Sequence, residues 1–305
     1  MPNPRIVSLL PSATEIVCAL GFADALVARS HECDFPAGVD KLPIASTSKF
    51  HPTGTSIQIH NNVTEILRNA LSVYRIDEEV LRGVEPTHII TQTQCEVCAV
   101  SAKDVEDAVC RVLPTRPQIV ALEPNSLTDV LRDFQRVAFA LGTPERGREL
   151  IAQTTARLWN IAERSKFLPR PRVATIEWIE PLMAAGNWVP TLIEMAGGIN
   201  LHGKADEHSP WMKFEDLVAS RPEVIVVMPC GFDMQRAASD LPVLTRQACW
   251  RDLPAVRHEQ VYVTDGHQFF NRPGPRLAES LEILAEILHP QEFQFGHEGK
   301  GWQRA

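Results

Sequence analysis

Short apolar runs rich in β-branched residues alternate along the chain with longer segments whose apolar residues recur at helical spacing. Six runs are predicted to be strands: residues 6–10, 88–91, 118–122, 173–178, 224–228 and 261–264. Residues 127–141 and 276–288 are predicted helices with one apolar face. This alternation predicts an α/β fold with parallel sheets covered by helices on both sides.

A long uninterrupted helical pattern divides the chain. It starts at Pro144, directly after Gly142 and Thr143, and continues to about residue 166 before a proline-rich stop. Such a helix spans about 33 Å, which favours a rigid connection between two lobes, although one more packed helix has the same pattern. We therefore predict an N-terminal α/β lobe (1–142), a linking helix (143–168), a C-terminal α/β lobe (169–290) and a frayed tail (291–305).

A short pattern occurs once on each side of this helix. Glu79 stands seven positions before Pro86, and Glu215 stands seven positions before Pro222; an apolar strand candidate follows each proline. A common helix–proline–strand connection explains the pattern, and so do two lobes of similar, Rossmann-like construction.

Size and charge exclude several classes of function. The 305 residues are enough for about two domains. The formal net charge of -8 argues against a nucleic-acid partner, and no apolar stretch has the roughly 18 residues of a membrane span.

The N-terminus lacks the pattern of a signal peptide, so we expect a cytoplasmic protein, or a periplasmic one if a leader has been removed. We expect a monomer.

Aromatic and polar residues follow the predicted strands, where open α/β sheets bind ligands. They suit a large, flat, partly apolar ligand, although buried tryptophans are commonly core residues. Ser12 is also placed to cap the helix after the first strand in a capping box with Glu15. The candidate ligand-binding residues are Ser12, His31, Gln94, Trp178, Trp188, Trp211, His267, Phe269, Phe270 and Asn271.

Two thiol-containing segments indicate an alternative. Cys95 and Cys98 have the spacing of a metal or redox pair, and His31 and Cys33 add two soft ligands. Together they would make a tetrahedral Cys₃His set for zinc, or hold an iron–sulfur cluster. The same residues also fit a polar cleft without metal.

Familiar enzyme motifs are missing from the sequence. It contains no GxSxG elbow, no phosphate-binding GxxxxGK[ST] loop and no HExxH pair. We therefore expect a binding protein and not an enzyme.

Several segments together resemble the substrate-binding proteins of cobalamin, siderophore and haem ABC importers. The resemblance covers about residues 5–290 and is strongest to the cobalamin-binding members. The segments that carry it are RIVSLLPSATE (5–15), VEPTHII (84–90), PLMAAGNW (181–188), AGGIN (196–200), VYV (261–263) and RPGPRL (272–277).

This resemblance implies two α/β lobes joined by one long helix, with a cobalamin-like corrinoid or related metal chelate in the cleft between them. The aromatic candidates would pack the macrocycle, while Ser12, Gln94 and Asn271 would meet its amide arms. His267 or His31 would approach the metal. The resemblance also implies that Glu79 and Glu215 dock onto arginines of an ABC permease. A zinc or iron–sulfur protein and a corrinoid-modifying enzyme remain as alternatives.

Overall fold

The chain forms two compact units, each built around its own sheet. The computed structural model describes residues 3–49, 53–69, 74–93 and 102–305. The N-terminal unit comprises Met1–Thr53, Asn61–Pro124 and Thr128–Gln153, and the C-terminal unit comprises Gly54–His60, Asn125–Leu127 and Thr154–Ala305. The α/β prediction is confirmed.

The N-terminal unit contains a six-stranded sheet in the order β4-β3-β2-β1-β5-β6. All neighbours are parallel except β3 and β4. Ile6 and Val7 of the central β1 and Ile89 of β5 are fully buried, so helices must cover both faces of the sheet. The strands are β1 (Ile6–Ser8), β2 (Leu26–Ser30), β3 (Ile44–Ser48), β4 (Tyr74–Ile76), β5 (His88–Gln92) and β6 (Gln118–Leu122).

Among the described residues, six helices accompany this sheet in the sequence. They are α1 (Pro11–Ala19), α2 (Ser56–Asn69), α3 (Glu78–Val84), α4 (Ala102–Val112), α5 (Leu127–Ala140) and α6 (Pro144–Ser165). The 22-residue α6 occupies the predicted long helix, and its residues divide between the two units after Gln153.

The C-terminal sheet has the order β12-β11-β10-β7-β8, and β9 also pairs with β7. Its central strands β7, β10 and β11 are parallel, and β10, β11 and residues 173–176 of β7 are buried. The valine and isoleucine run of β10 is typical of a strand covered on both faces. The strands are β7 (Arg172–Trp178), β8 (Met183–Ala184), β9 (Ile199–Asn200), β10 (Val224–Val227), β11 (Val261–Thr264) and β12 (Trp302–Arg304).

The helices of the C-terminal unit are mostly short, apart from the apolar α12. Leu277, Leu281 and Leu284 of α12 are at most 1% exposed and contribute to the core. The helices are α7 (Val189–Met195), α8 (Phe214–Ser220), α9 (Met234–Asp240), α10 (Pro242–Thr245), α11 (Pro254–Arg257) and α12 (Leu277–Leu288). No helix in the described ranges is both long and apolar enough to span a membrane.

The prediction of a frayed tail over 291–305 is wrong. Phe293 is 1% exposed, and β12 pairs antiparallel with β11. The carboxylate of Glu286, 4% exposed on α12, accepts hydrogen bonds from the backbone N–H groups of Phe295, Gly296 and His297 and from the Trp302 indole. A polar composition was misleading because one buried acceptor satisfies the donors of this segment.

The pattern around Glu79 and Glu215 corresponds to a repeated structure. Helices α3 and α8 each contain seven residues, and the glutamate is the second residue of each. Each helix ends on a left-handed residue, Glu85 (φ 39°) and Arg221 (φ 48°), directly before the proline. The two units therefore enter a central strand by the same backbone path.

Candidate functional site

Three large side chains lie next to one another across the carboxyl end of β7. Trp178 ends β7 and pairs with Met183 of β8, and Met183 in turn forms a bridge with Trp211. Neighbouring strands are about 4.8 Å apart, so Trp178 and Trp211 stand roughly 10 Å from each other. We call Trp178, Met183 and Trp211 the aromatic row.

Backbone hydrogen bonds fix the outer member of the aromatic row. The Ala184 N–H donates to the Pro210 carbonyl at 3.0 Å, and the Met212 N–H donates to the Leu182 carbonyl at 2.9 Å. Trp211 sits between these two bonds, yet it is 56% exposed. A large apolar residue held rigidly in solvent is available to a ligand.

Trp178, at the inner end of the aromatic row, packs against another aromatic ring and donates a hydrogen bond. The Trp178 ring lies 5.3 Å from the ring of the buried Phe232, and its indole N–H donates to the Glu180 carbonyl at 3.1 Å. The Arg236 guanidinium lies over Phe232 at 4.2 Å. This packing gives Trp178 a defined position.

His60 adjoins the outer end of the row. Its ring centroid lies 5.3 Å from that of Trp211, and the two planes meet at 81°. The preceding turn is held by the Asp240 carboxylate, which accepts from the Ser56 N–H at 2.8 Å, and by Arg236, which donates to the Gly54 carbonyl at 2.5 Å. His60, Trp211, Asp240 and Arg236 all belong to the C-terminal unit.

Two of the predicted ligand-binding rings lie in the core. Trp188 is 5% exposed, and its indole N–H donates to the Phe270 carbonyl at 2.6 Å; the Phe270 side chain is fully buried. Both rings therefore support the loop after β11 and offer no surface to a ligand. Phe269 is half-buried, 6.3 Å from the His297 ring and 5.5 Å from the Arg276 guanidinium.

His267 and Asn271 hold the same loop together. The Asn271 amide donates to the carbonyls of Met228 and Gly266 at 3.1 and 3.0 Å. His267 Nε2 lies 2.9 Å from Arg272 Nη2 and accepts a hydrogen bond from this guanidinium. A metal at His267 Nε2 would have to displace that guanidinium.

The predicted capping box at Ser12 is wrong. Helix α1 begins at Pro11, its N-cap is Leu10, and no side chain caps it. Ser12 lies within the first turn and is 2% exposed, and its hydroxyl has no hydrogen-bond partner among the described residues. Its contact with a ligand stays a prediction.

The predicted metal set lies only partly within the described residues. Cys33 is 1% exposed, and its sulfur accepts from the Thr14 hydroxyl at 3.0 Å. His31 Nδ1 is 3.1 Å from the Ser46 carbonyl, and its ring is 5.4 Å from that of Tyr74. Gln94, Cys95 and Cys98 fall outside the described residues. Within the described ranges, no three His, Cys, Asp or Glu side chains are arranged to hold a metal ion.

Glu79 and Glu215 are exposed at the starts of α3 and α8. Asp77 caps α3 by accepting from the Glu79 N–H at 3.0 Å, and Asp216 of α8 accepts from the Lys213 N–H at 3.0 Å. Acidic side chains at a helix N-terminus are favoured by the helix dipole. Both carboxylates are thus accessible on well-ordered first turns.

Asp133 of α5 is a buried carboxylate near the end of β6. It pairs with Arg136 at 2.8 Å and accepts from the Glu123 N–H at 3.2 Å. Burial outweighs these favourable contacts and raises the pKa of Asp133 to about 6.

Sequence reasoning missed Met183, Phe232 and His60. Met183 becomes a neighbour of Trp178 and Trp211 only through strand register, which residue type alone does not reveal. His60 stands far from Trp211 in the sequence, and nothing in its surrounding residues indicates the contact.

The protein consists of two α/β units with mainly parallel sheets, and the rigid aromatic row lies at the carboxyl end of one sheet. These features define a binding protein built from two α/β units. The chain belongs to the periplasmic binding protein family, whose sequence model matches residues 6–267. Members of this family are substrate-binding proteins of ABC transporters and not enzymes. The resemblance found in the sequence is confirmed.

Three known proteins illustrate the similarity. The uncharacterized ABC transporter substrate-binding lipoprotein YvrC of Bacillus subtilis is 23% identical, with 95% of this chain and 81% of that protein covered. A vitamin B12-binding protein of Vibrio cholerae is 22% identical, with 94% and 90% covered. The crystal structure of a periplasmic heme binding protein from Pseudomonas aeruginosa superposes with a TM-score of 0.70 at 19% identity, covering 96% and 94%.

Proposed function

We propose that this protein binds a flat metal chelate of the corrinoid or haem type and delivers it to an ABC permease. The observation that carries the proposal is the aromatic row, with Trp211 fixed on both sides by backbone hydrogen bonds and still 56% exposed. The vitamin B12-binding and heme-binding relatives support the same class of ligand.

The chemistry of the row suits such a ligand. Aromatic side chains offer flat faces and lose little conformational entropy on binding, and each can bury about 150–250 Å² of surface. The thioether of Met183, between the two tryptophans, adapts to an uneven apolar surface. A macrocycle extending roughly 10 Å would contact both tryptophans without rearrangement of the strands.

Delivery requires a surface that a permease recognises. Glu79 and Glu215 are exposed, and each is the second residue of a seven-residue helix. We propose that each carboxylate meets an arginine of the permease, because planar guanidinium groups pair well with carboxylates. The names of the relatives, a lipoprotein and a periplasmic protein, support a site of action outside the cytoplasmic membrane.

The test is titration of the purified protein with cyanocobalamin and with haemin, each followed by calorimetry and visible spectroscopy. Saturable one-to-one binding of either compound is expected. Trp211→Ala should weaken binding at least tenfold, since it removes the exposed face of the row. Trp159→Ala is the matched control because Trp159 is 54% exposed on α6 and should leave affinity unchanged.

Two results would contradict the proposal. One is the absence of saturable binding of both compounds to a folded protein. The other is an equal effect of the two tryptophan substitutions, which would show that the aromatic row is not the contact surface.

A further inference from the structure

We propose that Ser209 is a positioning residue that fixes the distance between Trp178 and Trp211, the two tryptophans of the aromatic row. The inference rests on the proposed function, because it concerns how the surface offered to the chelate keeps its shape. Ser209 belongs to none of the residue sets predicted from the sequence. It acts through the two tryptophans and needs no contact with the ligand.

The first argument is that the Ser209 side chain connects the two ends of the aromatic row. Its hydroxyl donates to Oε1 of Glu177, the residue directly before Trp178, at 2.9 Å. The same hydroxyl oxygen accepts from the backbone N–H of Gly186 at 3.1 Å. Trp211 follows Ser209 by two positions. One side chain thus joins β7, which ends in Trp178, to the segment that carries Trp211.

The second argument is that this contact supports a backbone ladder. Residues 207–212, which we call the Trp211 strip, lie antiparallel to residues 182–187. Pro210, in the middle of the strip, has no N–H and cannot donate to the neighbouring segment. The buried Gly186 N–H bonds to the Ser209 hydroxyl. The hydroxyl therefore adds a bond beside the position where the proline removes one.

The third argument is the close packing around Ser209. An added Cβ at Gly186 would lie 2.6 Å from the Glu207 carbonyl oxygen and 2.6 Å from the Ser209 nitrogen, so the Trp211 strip rests directly on this glycine. Ser209 is 5% exposed, and its single hydroxyl proton is committed to the Glu177 carboxylate. The hydroxyl consequently holds the strip at one distance from β7.

The consequence for binding follows from the shape of the ligand. A rigid, flat chelate contacts Trp178 and Trp211 together only when their spacing matches its width. A surface that already has this spacing loses little entropy on binding. Removal of the Ser209 hydroxyl leaves the buried Gly186 N–H without this acceptor and lets the Trp211 strip move relative to β7. Affinity should then fall although both tryptophans are still present.

The test measures the affinity of the full chain for haemin and for cyanocobalamin. Ser209→Ala should weaken binding of the probe that the wild type binds by at least about fivefold, since it leaves a buried donor unsatisfied. Ser220→Ala is the matched control. The Ser220 hydroxyl, at the end of α8, also makes two hydrogen bonds, to the Leu217 carbonyl at 2.8 Å and with the His202 ring at 2.9 Å. Its loss should leave affinity unchanged.

A double-mutant cycle separates positioning from a general loss of stability. In the Trp211→Ala protein, adding Ser209→Ala should lower affinity by less than about twofold, because the ring that Ser209 positions is already gone. The same loss of affinity from Ser209→Ala with and without Trp211 would overturn the inference.

Hydrogen exchange of the Gly186 amide in the wild-type protein is a further check that requires no variant. This amide should exchange slowly, because it is buried and donates to the Ser209 hydroxyl. Exchange at the rate of an exposed amide would overturn the inference even if Ser209→Ala did not fold.

The binding results also distinguish this inference from the proposed function. If the wild type and Ser209→Ala bind the probe equally well, the role of Ser209 is overturned while chelate binding stands. If neither haemin nor cyanocobalamin binds the folded wild-type protein, the proposed function fails, and the role of Ser209 in binding fails with it.

Discussion

The carboxylate of Glu286 stabilises the C-terminal segment, and its removal has a predictable cost. One oxygen, Oε2, accepts from the His297 N–H at 3.2 Å and from the Trp302 indole at 2.8 Å, while Oε1 accepts from Phe295 and Gly296. Glu286→Gln keeps the shape of the side chain and one acceptor oxygen. The new NH₂ group, however, faces groups that can only donate.

The magnitude follows from the number of bonds lost. A hydrogen bond to a charged group contributes about 1.5–3 kcal/mol, so losing the two at one oxygen costs about 3–6 kcal/mol. This is a large part of the roughly 5–15 kcal/mol that stabilises a typical folded protein. We therefore expect the C-terminal unit of Glu286→Gln to lose at least about 3 kcal/mol of its free energy of unfolding.

Urea denaturation followed by tryptophan fluorescence measures this loss, and hydrogen exchange of the amides of residues 295–304 locates it. The exchange of these amides should accelerate far more than that of β7. Glu298→Gln is the control, because Glu298 is exposed in the same segment. A loss below about 1 kcal/mol with unchanged exchange would show that Glu286 does not hold the segment.

Three further outcomes are expected. The pKa of Asp133 is raised to about 6, above the usual value of about 3.9, so the folded state holds the extra proton between these values. The contribution of Asp133 to stability should therefore fall as pH rises from about 4 to about 6. Urea denaturation at each pH should show this decrease in the free energy of unfolding of the wild type, and Asp133→Asn should lack it. The same pH dependence in both proteins would contradict the assignment. An added Cβ at Gly203 would lie 2.0 Å from a backbone oxygen, whereas Gly231 has a similar positive φ but nothing within 4 Å. Gly203→Ala should thus lower the melting temperature clearly more than Gly231→Ala, and similar losses would refute the steric argument. Finally, Glu79→Lys with Glu215→Lys should abolish uptake by cells expressing the permease while leaving chelate affinity unchanged; normal uptake would rule out the docking role.

Six parallel strands could be predicted, because burial on two faces favours apolar, β-branched runs such as the VIVV of β10. They are β1, β5, β6, β7, β10 and β11. Strands β2, β3, β4, β8, β9 and β12 were missed. The sequences IASTS of β3 and WQR of β12, for example, mix polar and apolar residues. Such strands are stabilised by their partners more than by their own composition.

The candidate site was less predictable than the fold. The sequence pattern selected Trp178 and Trp211, which lie in the aromatic row, but the same reasoning included Trp188 and Phe270, which the structure buries. Residue type cannot distinguish a core ring from a surface ring, because both occur in the same loops. His60 required tertiary structure, since only the folded chain brings it to Trp211.

The repeated segment of helix, left-handed residue and proline has a consequence for protein engineering. Because α3 and α8 have equal length and end in the same backbone conformation, we expect residues 77–86 and 213–222 to be interchangeable. A chimera in which one segment replaces the other should keep the path of the chain into the central strand. The charges displayed on either unit can then be exchanged as a block, without redesign of the sheet beneath.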